Sequence, residues 1–226
     1  MNPALSKYSF RTFGGKRGTR FFPQKQAGIR KGGVKPAKRG RIFVISGPSG
    51  SGKTTLASRI VCDKNLKNLL TKSISFTTRP KRSGERDKKD YFFIGQEEFE
   101  RGRKQKKILE WTRYLGYYYG TPKDFVERQL AKGRHLVLCL DFKGAQAMRR
   151  AYPRETVTIF VVPPSLGVLR ERIENRCNKT KAEEIRKRVE LAEKELAAAE
   201  SYDYSLVNKD LDKTVAALKE IILWNT

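Results

Sequence analysis

Apolar and polar positions along this chain form blocks that predict strands separated by helices. Short runs of apolar and β-branched residues predict buried strands, at residues 42–45, 72–76, 135–140, 157–162 and 204–207. Between these runs, apolar residues recur at helical spacing, and they predict helices at residues 55–61, 122–132, 143–152, 165–175, 182–200 and 211–223. Strands that alternate with helices predict an α/β fold, in which a parallel sheet has helices on both faces.

Residues 77–120 follow a different pattern. Charged turns separate short aromatic segments there, and these segments predict strands at residues 90–94, 108–111 and 117–120. The alternation of helices and strands resumes at residue 122. We therefore expect a small second sheet inserted into the α/β body.

A glycine-rich loop lies between the first predicted strand and the first predicted helix. Its sequence, Gly47-Pro48-Ser49-Gly50-Ser51-Gly52-Lys53-Thr54, matches the pattern G-x-x-x-x-G-K-[ST] without a mismatch. Glycines let backbone N–H groups turn inward around phosphate oxygens, because no Cβ blocks the approach. Lys53 places a positive charge on the outer phosphates, and Thr54 offers a hydroxyl to Mg²⁺. We call residues 47–54 the phosphate loop and expect it to bind the phosphates of a nucleotide.

The charge of the chain is extreme and uneven. Of its 226 residues, 49 are Lys or Arg and 24 are Asp or Glu, which gives a formal net charge of +25. Residues 1–41 hold twelve of the basic residues and no acidic residue. Glycine and proline interrupt any helical period in residues 1–40. We therefore predict that this basic arm is disordered or loosely ordered.

The basic arm admits three interpretations. Aromatic residues between its charges suit binding of RNA or another polyanion, through phosphate contacts and stacking. An arginine-rich segment without acids is also typical of an organelle-targeting sequence, although serines are few here. A solvated tail without a specific role is the third interpretation. The sequence leaves all three open.

Cysteine usage and hydropathy exclude some classes of protein. Cys62, Cys139 and Cys177 are scattered and lack C-x-x-C spacing, so neither a disulfide framework nor a zinc site is predicted. This usage fits a reducing compartment, and we expect a cytoplasmic location. No apolar run approaches the ~20 residues of a membrane span, so we expect no membrane contact.

Several motifs beyond the phosphate loop narrow the function. They are Ser-x-Thr-Thr-Arg at 75–79, Gly-Glu at 84–85, Asp-Tyr-x-Phe at 90–93, Leu-Glu-Trp at 109–111, Tyr-Tyr-Gly-Thr at 118–121, Pro-Pro-Ser-Leu at 163–166 and Val-Asn-x-Asp-Leu at 207–211. Together with the phosphate loop, this ordered set resembles the guanylate kinase family from about residue 41 to residue 222.

The resemblance implies a fold class and domain boundaries. The fold would be a P-loop NTPase-type parallel sheet with helices on both faces, an inserted mixed α/β GMP-binding subdomain and a helical lid. The implied boundaries are 1–40 for the basic arm, 41–224 for the guanylate kinase-like domain, 41–74, 122–175 and 189–224 for its core, 75–121 for the insertion and 176–188 for the lid.

The resemblance also implies which residues bind the two nucleotides. The implied GMP ligands are Ser75, Arg79, Arg82, Tyr91, Glu110, Tyr119, Gly120, Thr121 and Asp141. The implied ATP ligands are Gly47, Pro48, Ser49, Gly50, Ser51, Gly52, Lys53, Thr54, Thr55, Arg172 and Asn208. The implied catalytic residues are Lys53, Arg82, Arg176 and Arg188, and Thr54 is the implied Mg²⁺ ligand.

The implied activity is Mg²⁺-dependent transfer of a phosphoryl group from ATP to GMP, by a monomer or a homodimer. The residues that would read the guanine are Ser75, Glu110 and Thr121, and those that would hold the GMP phosphate are Arg79, Arg82, Tyr91 and Tyr119. A carboxylate such as that of Glu110 accepts hydrogen bonds from both N1–H and the 2-amino group of guanine. Adenine offers neither donor there, so it would leave the carboxylate unpaired.

Three features depart from the pattern of the family. Members of the family usually read Thr-Thr-Arg-x-Pro-Arg, whereas here Pro80 directly follows Arg79 and Lys81 precedes Arg82. The interval 176–188 is one residue longer than usual. The family commonly has two acids on the strand after the GMP region, whereas here Cys139 replaces the first and Asp141 keeps the second. We expect these departures to affect catalytic efficiency more than binding.

Three rival functions also fit parts of the sequence. They are a different small-molecule kinase on the same scaffold, a non-catalytic guanylate kinase-like binding module, and an RNA-binding protein that acts through the basic arm. Binding modules of this kind typically have an eroded phosphate loop, whereas this loop is complete.

Overall fold

The computed structural model describes residues 39–176 and 182–226. The predicted basic arm, except for its last two residues, lies outside the described residues, and so does a part of the predicted lid. In the two described ranges, no helix combines the length and the apolar character needed to cross a membrane.

Strands and helices alternate through the described residues. The strands are β1 Ile42–Ser46, β2 Leu70–Lys72, β3 Phe76–Thr77, β4 Phe92–Phe93, β5 Ile108–Tyr114, β6 Tyr117–Pro122, β7 His135–Cys139, β8 Thr156–Val162 and β9 Tyr204–Val207. The helices are α1 Lys53–Val61, α2 Gln96–Lys104, α3 Lys123–Ala131, α4 Phe142–Ala151, α5 Leu166–Arg176, α6 Ala182–Leu196 and α7 Leu211–Trp224.

Five strands form a parallel central sheet in the order β2-β7-β1-β8-β9. Along β1, Phe43 and Ile45 point to one face, and Ile42 and Val44 point to the other. All four side chains are fully buried, so both faces must be covered. Helices α1 and α7 cover the first face, and α3 and α4 cover the second. The predicted α/β class with helices on both faces is therefore confirmed.

A second sheet has the strand order β4-β3-β6-β5. Strands β5 and β6 form an antiparallel hairpin, whose turn contains Leu115 and Gly116 with positive φ values of 47° and 87°. Helix α2 packs on this sheet through Phe99, whose ring stacks on Tyr118 with 5.3 Å between the centroids. The small sheet that the aromatic segments predict is therefore present.

No sequence pattern predicts α2, which lies in a segment interpreted as charged turns and strands. The helix has one buried residue, Phe99, so it lacks the apolar stripe that marks an amphipathic helix. Glu97 and Glu98 in its first turn and basic residues in its last turn complement the helix dipole. Its stability therefore rests on its charge order and on the stacking of Phe99 upon the second sheet.

One predicted strand is divided in the structure, and one predicted helix ends early. The strand predicted at 72–76 is two strands, β2 and β3, which belong to different sheets. The backbone N–H of Ser73 donates to the central sheet at Val137, whereas the carbonyl of Ser75 accepts from Phe92 of the second sheet. The pattern of apolar residues cannot show that the backbone changes from one sheet to the other. The helix predicted at 182–200 ends at Leu196 and is followed by a 3₁₀ turn.

Candidate active site

The phosphate loop connects the end of β1 to the start of α1, at the carboxyl edge of the central sheet. Gly47 and Gly52 have φ values of 138° and 99°, which residues with side chains rarely adopt. A Cβ on Gly52 would lie 2.2 Å from Nδ2 of Asn208. Nζ of Lys53 donates to the carbonyl oxygens of Gly47 and Pro48. The loop therefore curls around its own lysine at the N-terminus of α1, a position that favours anions.

Asn208, the residue after β9, braces the phosphate loop. Its Nδ2 donates to the carbonyl oxygen of Ser51 at 2.8 Å, and its own carbonyl oxygen accepts from Arg172 at 3.3 Å. Only 5% of Asn208 is exposed. Asn208 and Arg172 are implied ATP ligands, and the structure adds that Asn208 holds the backbone of the loop and that Arg172 holds Asn208.

A cleft of about 1220 Å³ lies between the phosphate loop and the second sheet. It brings together most of the residues that the sequence predicts to bind nucleotides. Its walls include, from the ATP and catalytic sets, Gly47, Ser49, Gly50, Gly52, Lys53, Thr54, Thr55, Arg172, Arg188 and Asn208. They include, from the GMP set, Ser75, Arg79, Arg82, Tyr91, Glu110, Tyr119, Gly120 and Asp141.

Three predicted ligands lie behind the wall of the cleft. Pro48 and Ser51 are buried within the phosphate loop, and Thr121 is buried behind Glu110. The assignment of Pro48, Ser51 and Thr121 as nucleotide ligands stays a prediction. Arg176 ends α5, and its side chain lies outside the described parts of the chain.

Arg79 is held by contacts on all three of its guanidinium nitrogens. Nη2 donates to both carboxylate oxygens of Glu85 at 2.8 and 3.0 Å, Nε donates to the hydroxyl of Tyr119 at 3.2 Å, and Nη1 donates to the carbonyl of Pro80 at 2.7 Å. Burial disfavours both charges, but the ion pair outweighs burial, so the pKa of Arg79 is raised and that of Glu85 is lowered. The guanidinium is therefore charged and oriented before an anion arrives.

Two tyrosines form an aromatic wall beside Arg79. The rings of Tyr91 and Tyr119 pack edge to face with 5.9 Å between their centroids, and the guanidinium carbon of Arg79 lies 5.6 Å from the centroid of Tyr91. Burial raises the pKa of Tyr91 to about 12, so its phenol stays neutral near pH 7. This corner of the cleft joins a positive charge to hydroxyl donors, which is the chemistry that a phosphate needs.

Glu110 on β5 places a buried carboxylate in the wall of the cleft. Its Oε1 accepts a hydrogen bond from the hydroxyl of Thr121 at 2.5 Å, across the β5–β6 hairpin. Burial raises the pKa of Glu110 to about 7, the Thr121 hydrogen bond opposes the shift, and the charge of Asp141 adds to it. A Cβ on Gly144 would lie 2.8 Å from Oε2, so this glycine leaves room for the carboxylate. A ligand that donates hydrogen bonds would stabilise the charged form.

Comparisons with known proteins agree with this geometry. A family model described as guanylate kinase matches residues 39–225. The guanylate kinase of Caldanaerobacter subterraneus subsp. tengcongensis is 43% identical over 187 residues, which cover 82% of this chain and 88% of the relative. This chain belongs to the guanylate kinase family.

Two further relatives support this membership. The guanylate kinase of Thermotoga maritima is 42% identical over 184 residues, which cover 81% of this chain and 86% of the relative. The crystal structure of guanylate kinase from Anaplasma phagocytophilum superposes with a TM-score of 0.69 at 32% identity, over 83% of this chain and 86% of that one. The resemblance found in the sequence motifs is therefore confirmed.

The end of β7 shows where this member of the guanylate kinase family departs from the expected pattern. Cys139 replaces the first acid, and its Sγ lies 3.8 Å from the carbonyl oxygen of Lys53. Burial raises the pKa of the Cys139 thiol, so the group is neutral near pH 7. Asp141 caps α4, since its Oδ1 accepts from the backbone N–H of Gly144 at 2.8 Å, and it also lines the cleft. One carboxylate therefore serves both the helix and the cleft.

Thr112, Tyr114 and Glu195 also line the cleft, and no sequence motif marks them. Thr112 and Tyr114 follow Glu110 by two and four positions on β5, so the alternation of a strand puts all three on one face. Glu195 follows Arg188 by seven positions on α6, so two helical turns put both on one side. Burial raises the pKa of Glu195 to about 7. Counting strand and helix periods from Glu110 and Arg188 would have found all three.

The implied magnesium ligand, Thr54, lies in the first turn of α1 and lines the cleft. Mg²⁺ bound with a nucleotide takes most of its ligands from phosphate oxygens and water, and it needs one or two protein oxygens. The hydroxyl of Thr54 and the carboxylate of Asp141 offer oxygens of this kind in the same cleft. Within the described ranges, no three His, Cys, Asp or Glu side chains form a metal cluster. The donors present fit a metal that binds together with the phosphates.

Proposed function

We propose that this chain catalyses the reversible transfer of the γ-phosphoryl group of ATP to GMP, which gives ADP and GDP. The proposal rests on one observation: a complete phosphate loop and the buried carboxylate of Glu110 line the same cleft. A phosphate loop alone would suit many NTPases and kinases. The buried carboxylate of Glu110, which accepts hydrogen bonds, adds a site for a second nucleotide across the cleft. The base of that nucleotide must donate hydrogen bonds.

Guanine is the base that fits Glu110. Its N1–H and 2-amino groups lie side by side, so a carboxylate can accept from both. Adenine has no donor at these positions and would leave a buried charge unpaired. A site built to hydrogen-bond its substrate rejects an analogue without the partner group by roughly 10⁴-fold. Thr121 supports this reading from behind, because it fixes one carboxylate oxygen of Glu110.

The phosphate of GMP would bind at the corner formed by Arg79, Tyr91 and Tyr119. Arg82 also lines the cleft there, and its backbone N–H donates to Glu85 at 2.8 Å. Glu85 therefore orders both arginines of this turn, one through its guanidinium and one through its backbone. In this proposal, the acceptor phosphate lies between the guanine pocket and the phosphate loop.

Phosphoryl transfer in this site needs alignment and charge neutralisation. The phosphate of GMP is already ionised, so no general base is required. Lys53, Arg82 and Arg188 line the cleft and would neutralise charge on the transferring group, and Arg176 is the fourth residue proposed for this role. Mg²⁺ bound with ATP would supply further charge neutralisation along the phosphates, next to the hydroxyl of Thr54.

We assign residues 75–121 to the GMP-binding insertion and residues 176–188 to the lid over ATP. The core then comprises residues 41–74, 122–175 and 189–224. Closure of the insertion and the lid over the two nucleotides would exclude water and so suppress the hydrolysis of ATP.

A coupled assay with Mg²⁺, ATP and a panel of GMP, dGMP, AMP and UMP tests the proposal. GMP is expected to be the best acceptor. Lys53→Ala is expected to lower kcat by roughly 10²–10³-fold, as does the loss of one donor to a transition-state charge. Folded protein that yields no GDP would contradict the proposal. A preference for AMP or UMP would instead indicate a different kinase, and unchanged turnover in Lys53→Ala would remove the phosphate loop from the mechanism.

The basic arm, the cytoplasmic location and the state of assembly stay predictions. Binding of RNA by the arm would weaken with added salt, because basic residues release counterions from phosphates. Deletion of residues 1–40 should abolish this binding and leave GMP kinase activity intact. Equal RNA affinity in the truncated protein would exclude the arm as the contact.

A further inference from the structure

The carboxylate of Glu110 lies against a glycine of another segment. Glu110 is on β5, in the segment assigned to the GMP-binding insertion, and Gly144 is in the first turn of α4, in the segment assigned to the core. A Cβ on Gly144 would lie 2.8 Å from Oε2 of Glu110, a separation that real Cβ atoms essentially never show. The carboxylate proposed to bind guanine therefore occupies space that any other side chain at position 144 would need.

The surroundings of Gly144 decide which group would give way to a larger side chain. A Cβ there would also lie 3.1 Å from Cβ of Leu140 and 3.3 Å from Oδ1 of Asp141. The first atom is fixed by the backbone, and the second accepts the N–H of Gly144 at 2.8 Å as the cap of α4. Oε2 of Glu110 is instead the far end of a flexible side chain. We therefore expect Gly144→Ala to displace the carboxylate of Glu110.

Glu110 is held at two other points. Its Oε1 accepts from the hydroxyl of Thr121 at 2.5 Å. Leu109, the residue before it, packs against the apolar cluster that includes Ala145 of α4, so the backbone of β5 is held beside this helix. Oε2 is thus the oxygen whose position depends on Gly144. Its displacement would turn the plane of the carboxylate about the oxygen that Thr121 holds.

We propose that Gly144 is a positioning residue for guanine, because it lets both oxygens of Glu110 accept hydrogen bonds from the base at once. Guanine presents N1–H and a 2-amino group side by side, so it needs both oxygens in one plane. Hypoxanthine, the base of IMP, has N1–H but no 2-amino group, so it needs one oxygen. Gly144 therefore favours GMP over IMP. This inference rests on the proposed function and adds a residue to it.

Gly144→Ala adds one methyl group beside Oε2, and the chain offers a matched control. Gly102 also lies within a helix, α2, and a Cβ there would meet Cδ1 of Ile108 at an ordinary 3.5 Å. Gly102 is not among the described residues that line the cleft. Alanine is favoured over glycine in both helices. Gly144→Ala and Gly102→Ala therefore differ in what the new methyl group meets.

The experiment measures the Kd of GMP by calorimetry, and that of IMP by competition with GMP, in the full chain. Gly144→Ala is expected to weaken GMP by roughly 10- to 100-fold, which corresponds to the loss of one hydrogen bond to a charged group. IMP should lose less, so the preference for GMP over IMP should fall by roughly tenfold. Gly102→Ala should keep the preference of the unaltered protein. The Kd of an ATP analogue should change less than about twofold in both variants.

A double variant shows whether the methyl group acts through Glu110. Glu110→Ala removes the carboxylate, so adding Gly144→Ala to it should change the Kd of GMP less than about twofold. Thermal unfolding gives the same comparison without a ligand. Gly144→Ala should be less favourable for the Tm in the unaltered protein than in the Glu110→Ala background, where the methyl group can move into the vacated space. If Gly144→Ala alone does not fold, the double variant should still fold.

Three results would overturn the inference. The first is an unchanged preference for GMP over IMP in folded Gly144→Ala. The second is an equal loss of GMP affinity when Gly144→Ala is added to Glu110→Ala, which would assign the effect to Leu140 or Asp141. The third is a double variant that does not fold. Each can occur when the unaltered protein makes GDP from GMP, so the proposed function would stand. A folded, unaltered protein without GMP kinase activity would instead reject the proposed function.

Discussion

The two halves of the cleft use different parts of the polypeptide, since one offers backbone groups and the other offers side chains. The donor half, which we propose binds ATP, is the phosphate loop, a run of consecutive residues that offers backbone N–H groups and glycine geometry. The acceptor half, which we propose binds GMP, uses side chains that meet only in the folded protein. Arg79 meets Tyr119 from 40 residues away, and Glu110 meets Thr121 from 11. The geometry of a site made of backbone groups depends on neighbouring residues. A site made of buried side chains depends on how distant segments pack and on the pKa values of those side chains.

The two halves also differ in how strongly their charge depends on pH. Lys53 and the N-terminus of α1 give the donor half a positive electrostatic potential. In the acceptor half, burial brings the pKa of Glu110 to about 7, so this charge titrates near neutrality. The acceptor half should therefore respond to pH and to isosteric substitution far more than the donor half does.

The sharpest test of this contrast is Glu110→Gln. An amide would place a donor against the donors of guanine, so kcat/KM for GMP is expected to fall by roughly 10²–10³-fold. Binding of an ATP analogue without GMP should change less than about twofold. Glu190→Gln, the same change at an exposed position of α6, is the control and should leave both measurements unchanged. If Glu110→Gln weakened binding of the ATP analogue as much as it lowered kcat/KM for GMP, the proposed difference between the two halves would be contradicted.

The pH dependence of the free energy of unfolding provides a second test of Glu110. The folded-state pKa of Glu110, about 7, lies above its ordinary value of 4.5, so protonation favours the folded state. The cost of burying its charge is absent below pH 4.5 and complete above about pH 7, where it approaches about 3 kcal/mol. Thermal unfolding should show Glu110→Gln gaining stability over the unaltered protein from pH 5 to pH 8. A difference that does not change with pH would contradict the raised pKa.

Glu85→Gln tests the acceptor half with a smaller expected effect. It leaves the guanidinium of Arg79, 8% exposed, without its ion pair. We expect a loss of about 2 kcal/mol in the free energy of unfolding at pH 7 and roughly a tenfold rise in the KM for GMP. The lowered pKa of Glu85 makes this stabilisation complete above pH 4.5, and it disappears as the pH falls through the folded-state pKa. Glu100→Gln, which alters an exposed ion pair on α2, should cost little.

Asn208→Ala tests the donor half and has the smallest expected effect. It removes the hydrogen bond to the carbonyl of Ser51 but leaves every backbone N–H of the phosphate loop in place. We expect roughly a fivefold rise in the KM for ATP and a loss of about 1 kcal/mol in stability. The Kd of GMP alone should not change. A larger change for GMP than for ATP would show that Asn208 supports the acceptor half instead.

Local signals predict the central sheet and the phosphate loop well. The alternation of Ile42, Phe43, Val44 and Ile45 and the glycine pattern depend on neighbours within a few residues. Their geometry follows from strand period and from the absence of a Cβ. For the same reason, the buried strands β7, β8 and β9 lie close to their predicted positions.

Features that depend on contacts between residues far apart in the chain could not be predicted from the sequence. Helix α2 forms because Phe99 stacks on Tyr118, which a charged segment does not reveal. The chain leaves the central sheet between Ser73 and Ser75 because different strands bind its backbone on either side. The inward positions of Thr112 and Tyr114 follow from the strand period only once the direction of Glu110 is known.

The amino-acid sequence by itself determined the α/β core, the phosphate loop and the motifs of the guanylate kinase family, because each depends on a short stretch of backbone. The tertiary structure alone determined that Asn208 braces the loop and that Glu85 holds Arg79. These contacts join residues whose separation in the chain carries no periodic signal. Burial raises the pKa of Glu110, the ion pair with Arg79 lowers that of Glu85, and both effects depend on the whole fold.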